Sequence, residues 1–159
     1  MDINAYLEPL VAAHGGAVMR LLHGVLHHQE EAEDAYQDTW YAVWQARGRL
    51  RGGENPWPFI RKTALRKALD RLRRPRVASS LDAESAATTS TAAVDTDGRP
   101  DLSVLPARER ACLVLFFWEG LSIREIAATL DVPDGTVKTW MFRGRDRLRQ
   151  ALLQRKEAP

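Results

Sequence analysis

"LSIREIAATLDVPDGTVKTWMFRGRDRLR", residues 121–149, predicts two helices joined by a tight turn. Ser122 stands at a helix N-cap position, and Glu125, three residues on, completes a capping box. Ile123, Ile126, Ala127 and Leu130 form one apolar face, with Ala127 small where a second helix has to come close. Asp131 occupies the turn, where a left-handed backbone is tolerated by Asp better than by most residues. Val132 and Val137 close the small core between the helices. On the second helix, at about 100° per residue, Val137, Met141, Gly144 and Leu148 share a stripe. Lys138, Thr139, Phe142 and Arg143 fall on the opposite side. Residues 134–149 hold five basic residues against two acidic ones. This arrangement points to a DNA-binding helix-turn-helix, with the stripe packed inward and the basic face toward phosphates and base edges.

Outside this stretch the charge is uneven, although the net charge of the 159 residues is only +2. Residues 1–77 hold 12 Lys/Arg and 9 Asp/Glu, residues 78–101 hold 1 and 5, and residues 102–159 hold 10 and 7. The middle segment, "ASSLDAESAATTSTAAVDTDGRPD", has no aromatic residue and too little apolar surface to offset its ordering entropy. An all-α chain of two small helical domains follows, residues 1–76 and 102–159. A flexible acidic linker, 77–101, joins them, and the C-terminal domain is the helix-turn-helix. Cys112, the single cysteine, sits in the apolar run "ACLVLFFW" and reads as a buried hydrophobe. No leader opens the chain and no apolar run nears about 18 residues, so a cytoplasmic location without membrane insertion is expected.

In the first domain, helical patterning runs from Asn4 to about Gln29 and again through "EEAEDAYQDTWYAVWQA". It breaks at "RGRLRGGENPWP" and resumes from Phe59 to Arg74, ahead of Pro75. On the middle helix Ala32, Ala35, Tyr36, Thr39 and Val43 share one side, and Asp34, Gln37, Asp38, Tyr41 and Trp44 the other. An acidic face with two aromatics suits a protein contact, although Trp44 equally suits the core of a small bundle. "RKTALRKALDRLRRPR" carries eight basic residues and one acid. Its apolar stripe is Ala64, Leu65, Ala68, Leu69 and Leu72, with Thr63, Arg66, Asp70 and Arg73 opposite. A second nucleic-acid surface is the better explanation of so one-sided a charge. Trp57, in the preceding basic loop, is placed to hold unpaired bases.

In order, these segments resemble the bacterial RNA polymerase sigma factors of the extracytoplasmic-function (ECF) type. "AEDAYQDTWYAVW" is similar to that family's helix for the coiled-coil clamp of the β′ subunit. "PFIRKTALRKALDRLRR" is similar to the helix that takes the −10 promoter element as a single strand. "LPARERACLVLFFWEGLSIREIAATLDVPDGTVKTWMFRGRDRLR" is similar to the module that reads the −35 element and touches the β flap. The resemblance implies that Asp34, Gln37, Asp38, Tyr41 and Trp44 contact polymerase. It assigns Trp57, Thr63, Arg66, Lys67, Asp70, Arg73 and Arg74 to −10 DNA, and Arg124, Thr136, Lys138, Thr139, Trp140, Phe142 and Arg143 to −35 DNA. Arg66 stands where the family pattern has asparagine, and Trp140 where arginine is usual. Core polymerase, promoter DNA and an anti-sigma factor are the implied partners.

No catalytic constellation, cofactor site or metal cluster is expected, so the chain is not read as an enzyme. Of the four histidines, His14, His23, His27 and His28, only His23 and His27 have i, i+4 spacing that suits a metal, without supporting ligands; all four are read as solvent-facing. Two other functions fit parts of the pattern. One is a stand-alone helix-turn-helix regulator of duplex operators, and the other an adapter that holds polymerase without productive promoter binding.

Overall fold

The computed structural model describes residues 2–50, 53–73 and 101–157. Among these it contains six helices and no strand, the all-α class expected. The chain divides into two compact units, Met1–Arg73 and Arg74–Pro159. The linker expected at 77–101 lies outside the described residues up to Pro100.

Unit 1 is a bundle of α1 (Ile3–Leu26), α2 (Gln29–Gln45) and α3 (Trp57–Arg73), each packed on the other two. The Asp2 carboxylate accepts the Asn4 N–H at 3.2 Å and caps α1. α1 stops at Leu26, short of Gln29, because His27 turns left-handed with φ 57° and His28 is extended. Val18, Leu21, Leu22, Val25 and Leu26 of α1 meet Ala32, Ala35, Trp40 and Val43 of α2, and Ile60, Ala64, Leu65 and Ala68 of α3, all of them buried. Gly15 admits a close approach: a Cβ there would lie 2.7 Å from the Tyr36 hydroxyl.

α3 begins at Trp57 rather than Phe59, with the Asn55 side chain accepting the Trp57 N–H at 3.0 Å. Trp57 is therefore the first residue of a helix and not part of the loop before it. Leu72 also departs from expectation, lying exposed at the end of α3. The buried stripe runs Ile60, Ala64, Ala68 and then, three residues on, the largely covered Arg71.

Unit 2 comprises α4 (Ala107–Phe117), α5 (Ile123–Leu130) and α6 (Asp134–Glu157). α4 is buried from Glu109 to Leu115, and a left-handed Gly120, φ 67°, turns the chain toward α5. The α5 capping box forms as expected: Ser122 Oγ accepts the Glu125 N–H at 3.2 Å, and Glu125 Oε2 accepts the Ser122 N–H at 2.8 Å. Asp131 closes α5 in the left-handed region, φ 56° and ψ 47°. Ile126, Ala127, Val137, Met141 and Gly144 are buried. Gly144 sets the α4–α6 spacing, since a Cβ there would stand 3.1 Å from Leu113 Cδ1 and 3.4 Å from Glu109 Cβ.

Two charged residues lie inside this unit. Glu109 is buried and forms an ion pair with Arg147 of α6 at 3.3 Å. The Arg110 guanidinium is pushed down to about 10 by burial, opposed by the attraction of Asp101; its Nη1 donates to the Leu105 carbonyl at 3.4 Å. Burial, reinforced by the negative charge of Glu109, pushes the Cys112 thiol up to about 12.

Candidate nucleic-acid interface and acidic docking face

The period of α6 sorts its side chains. With Val137, Met141 and Gly144 turned inward, Lys138, Thr139, Phe142 and Arg143 are all exposed on the outward side. Phe142 is the most open of the large apolar residues, at 74% exposure. Such a residue in a basic helix face is placed to meet a thymine methyl or a sugar. The Thr139 hydroxyl donates to the Gly135 carbonyl at 3.0 Å, which fixes its rotamer. Thr136 is half-buried and Arg124 is exposed on α5. Trp140 differs from its neighbours: it is half-buried, and the Arg108 guanidinium of α4 lies 5.5 Å from its ring centre. Trp140 thus packs against α4 as well as reaching the edge of the outward face.

On α2, Asp34, Gln37 and Tyr41 are exposed, and Asp38 and Trp44 are half-covered. Trp44 meets Tyr6 of α1 edge-on at 5.8 Å and lies 4.0 Å beneath the Arg47 guanidinium. It belongs to the α1–α2 seam and to the α2 face at once.

Asp34 and Asp38 are both engaged by Arg71 of α3, at 3.4 Å and 2.8 Å. Sequence reading counted Arg71 among the basic residues of a nucleic-acid helix. The bundle turns it toward α2 instead. The available signal was its place three residues after the buried Ala68, on the inward stripe.

The α3 candidates are divided as well. Arg66 and Asp70 are exposed, and Thr63 and Lys67 are half-buried. Arg73 ends the helix, and Arg74 lies outside the described residues. Trp57 stacks on His14 with ring centres 5.3 Å apart and planes 16° from parallel, and Arg61 lies 6.0 Å from its ring centre. His14 is therefore partly covered and not solvent-facing, whereas His23, His27 and His28 are exposed. Among the described residues no three His, Cys, Asp or Glu side chains gather as a metal site. No helix of the described residues is long and apolar enough to cross a membrane.

Residues 10–77 match the family described as Sigma-70 region 2, and residues 102–148 match Sigma-70, region 4. The chain is 32% identical over 154 residues to the RNA polymerase sigma factor CarQ of Myxococcus xanthus, covering 91% of this chain and 88% of that protein. It is 30% identical over 149 residues to the ECF RNA polymerase sigma factor SigM of Mycobacterium tuberculosis, covering 91% and 76%. Among solved structures, the sigma factor RpoE in complex with the anti-sigma factor NepR, from Bartonella quintana, superposes with a TM-score of 0.65. Identity is 20%, and 91% of this chain and 95% of that chain are covered.

Proposed function

The chain belongs to the extracytoplasmic-function sigma factors, and from that premise we propose how its two helical units divide promoter recognition. In unit 1 the α2 face of Asp34, Gln37, Asp38, Tyr41 and Trp44 docks on the β′ clamp helices of core RNA polymerase. Trp57, Thr63, Arg66, Lys67, Asp70, Arg73 and Arg74 take the −10 element as a melted strand. In unit 2 the outward face of α6, with Thr136, Lys138, Thr139, Trp140, Phe142 and Arg143, enters the major groove at the −35 element. Arg124 of α5 takes a flanking phosphate, and the unit also touches the β flap. The working boundaries are 1–76 and 102–159, with 77–101 as the tether.

The observation that carries this reading is the α6 face: four outward residues, two of them cationic, on a helix whose opposite stripe is buried. Holding two modest DNA sites on one chain raises the effective affinity far above that of either alone. Arg66, replacing the family's asparagine, brings a charge-assisted phosphate contact in place of an amide that reads a base. The chain supplies positioning and the polymerase supplies the chemistry, so we assign it no enzymatic activity and place it in the cytoplasm. An anti-sigma factor is the inhibitory partner that family membership implies.

Run-off transcription with purified bacterial core polymerase, on a pooled library of upstream regions, tests the proposal. New start sites that share a −35/−10 pair are expected only when this protein is added. If no start sites appear and the protein alone shifts duplex DNA, it is a stand-alone regulator. Silence in both assays indicates an adapter.

A further inference from the structure

Asp34 and Asp38 stand one helical turn apart on α2, where two like charges repel and gain nothing from their own helix. Both are approached by the Arg71 guanidinium across the α2–α3 seam. Arg71 is only 19% exposed, and its Nε is buried without a hydrogen-bond partner. The two acids remain 64% and 48% exposed, and each meets Arg71 through its Oδ2. The cation thus lies beneath the surface while the carboxylates stay open above it. A cation so placed is poorly situated to neutralise a phosphate. It is well situated to offset the repulsion between two acids and to fix their rotamers.

We propose that Arg71 is a positioning residue of the acidic docking face, holding Asp34 and Asp38 in the arrangement that a cationic partner surface meets. The inference rests on the reading of α2 as the polymerase-docking helix. It removes Arg71 from the set of α3 cations offered to promoter DNA. A partner then docks on carboxylates already ordered, without ordering two side chains at the moment of binding. Lysine supplies charge without the planar fork, so it serves one acid at a time.

The test is equilibrium binding of the full chain to core polymerase for four variants: Arg71→Ala, Arg71→Lys, Asp34→Asn with Asp38→Asn, and that pair combined with Arg71→Ala. Hydrogen exchange of α1–α3 confirms folding in each case. Arg71→Ala is expected to weaken binding about tenfold, the effect of two side chains left to be ordered. Arg71→Lys should restore part of that loss, and Arg71→Ala should cost nothing further once both acids are Asn. Equal weakening by Arg71→Ala with and without the acids, or tighter binding of the alanine variant, overturns the inference and leaves the docking reading standing. Unchanged binding of the Asp34→Asn, Asp38→Asn variant removes the docking reading and this inference with it.

Discussion

Gly144 lets α6 lie against α4, and replacing it tests how closely that helix is held. A Cβ at this position would stand 3.1 Å from Leu113 Cδ1 and 3.4 Å from Glu109 Cβ, where comfortable carbon–carbon contact is about 3.5–4.0 Å. Both neighbours are buried, Leu113 at 3% exposure and Glu109 at 5%, so neither has room to swing away. Alanine gains about 0.8–1.0 kcal/mol of helix propensity, while overpacking a close contact costs about 1–3 kcal/mol. Gly144→Ala is therefore destabilising by about 1 kcal/mol. Gly144→Val adds two further carbons to the same seam, keeps less of the propensity gain, and should cost about 2 kcal/mol. By hydrogen exchange, peptides from α4 and α6 of Gly144→Val should exchange about 30-fold faster, with α1–α3 unchanged. Gly135→Ala is the control: nothing lies within 4 Å of a Cβ there, and it should be neutral or mildly stabilising. Wild-type protection of α4 and α6 in Gly144→Val would refute the argument that glycine sets this spacing.

Removing the α5 cap by Ser122→Ala should destabilise unit 2 by about 1 kcal/mol, seen as faster exchange in α5 and little change in unit 1. Native Cys112 should resist alkylation at pH 8, because burial pushes its thiol up to about 12 and the thiolate is scarce. Between pH 9 and 12 an unfolded chain releases a proton that the native chain keeps. Cys112 therefore lowers stability as pH rises through that window, which urea midpoints of wild type and Cys112→Ala will separate. Lys138→Ala should weaken promoter binding across sequences and reduce the salt slope by about 1. Arg143→Ala, where Arg143 meets a guanine, should cost about 1–3 kcal/mol with relaxed preference at one −35 position. Identical tolerance of −35 substitutions by wild type and Arg143→Ala would exclude that contact.

Much of unit 2 could be read from the chain because its determinants are local. The Ser122–Glu125 capping box joins residues three apart, and the left-handed Asp131 answers to its own side chain. The stripe of Val137, Met141 and Gly144 repeats within one or two turns of α6. Unit 1 yielded its helices in the same way, and the α2 and α3 sides of its core through Ala32, Ala35 and Val43 and through Ala64, Leu65 and Ala68, whereas the α1 side, Val18 to Leu26, was not singled out. The errors fell at helix ends, except for His14, which lies in the middle of α1 and is covered by Trp57. Trp57 and Leu72 each sit where the periodic pattern runs out and the neighbouring helix decides what is covered.

What the sequence by itself determined is which segments are helical, which stripe of each is apolar, and where the basic face of α6 points. Hydrogen bonds and side-chain period within a single turn set all three. Only the tertiary structure decided the fate of the large amphipathic residues. Arg71 belongs to a basic run by sequence, yet it meets Asp38 and Asp34 from 33 and 37 residues away. Trp57 came to stack on His14 and Trp44 to bridge Tyr6 and Arg47. Arginine and tryptophan carry both an apolar body and a polar tip, so either a core or a surface can accept them. The choice belongs to whichever helix packs alongside, and no spacing within one helix contains it.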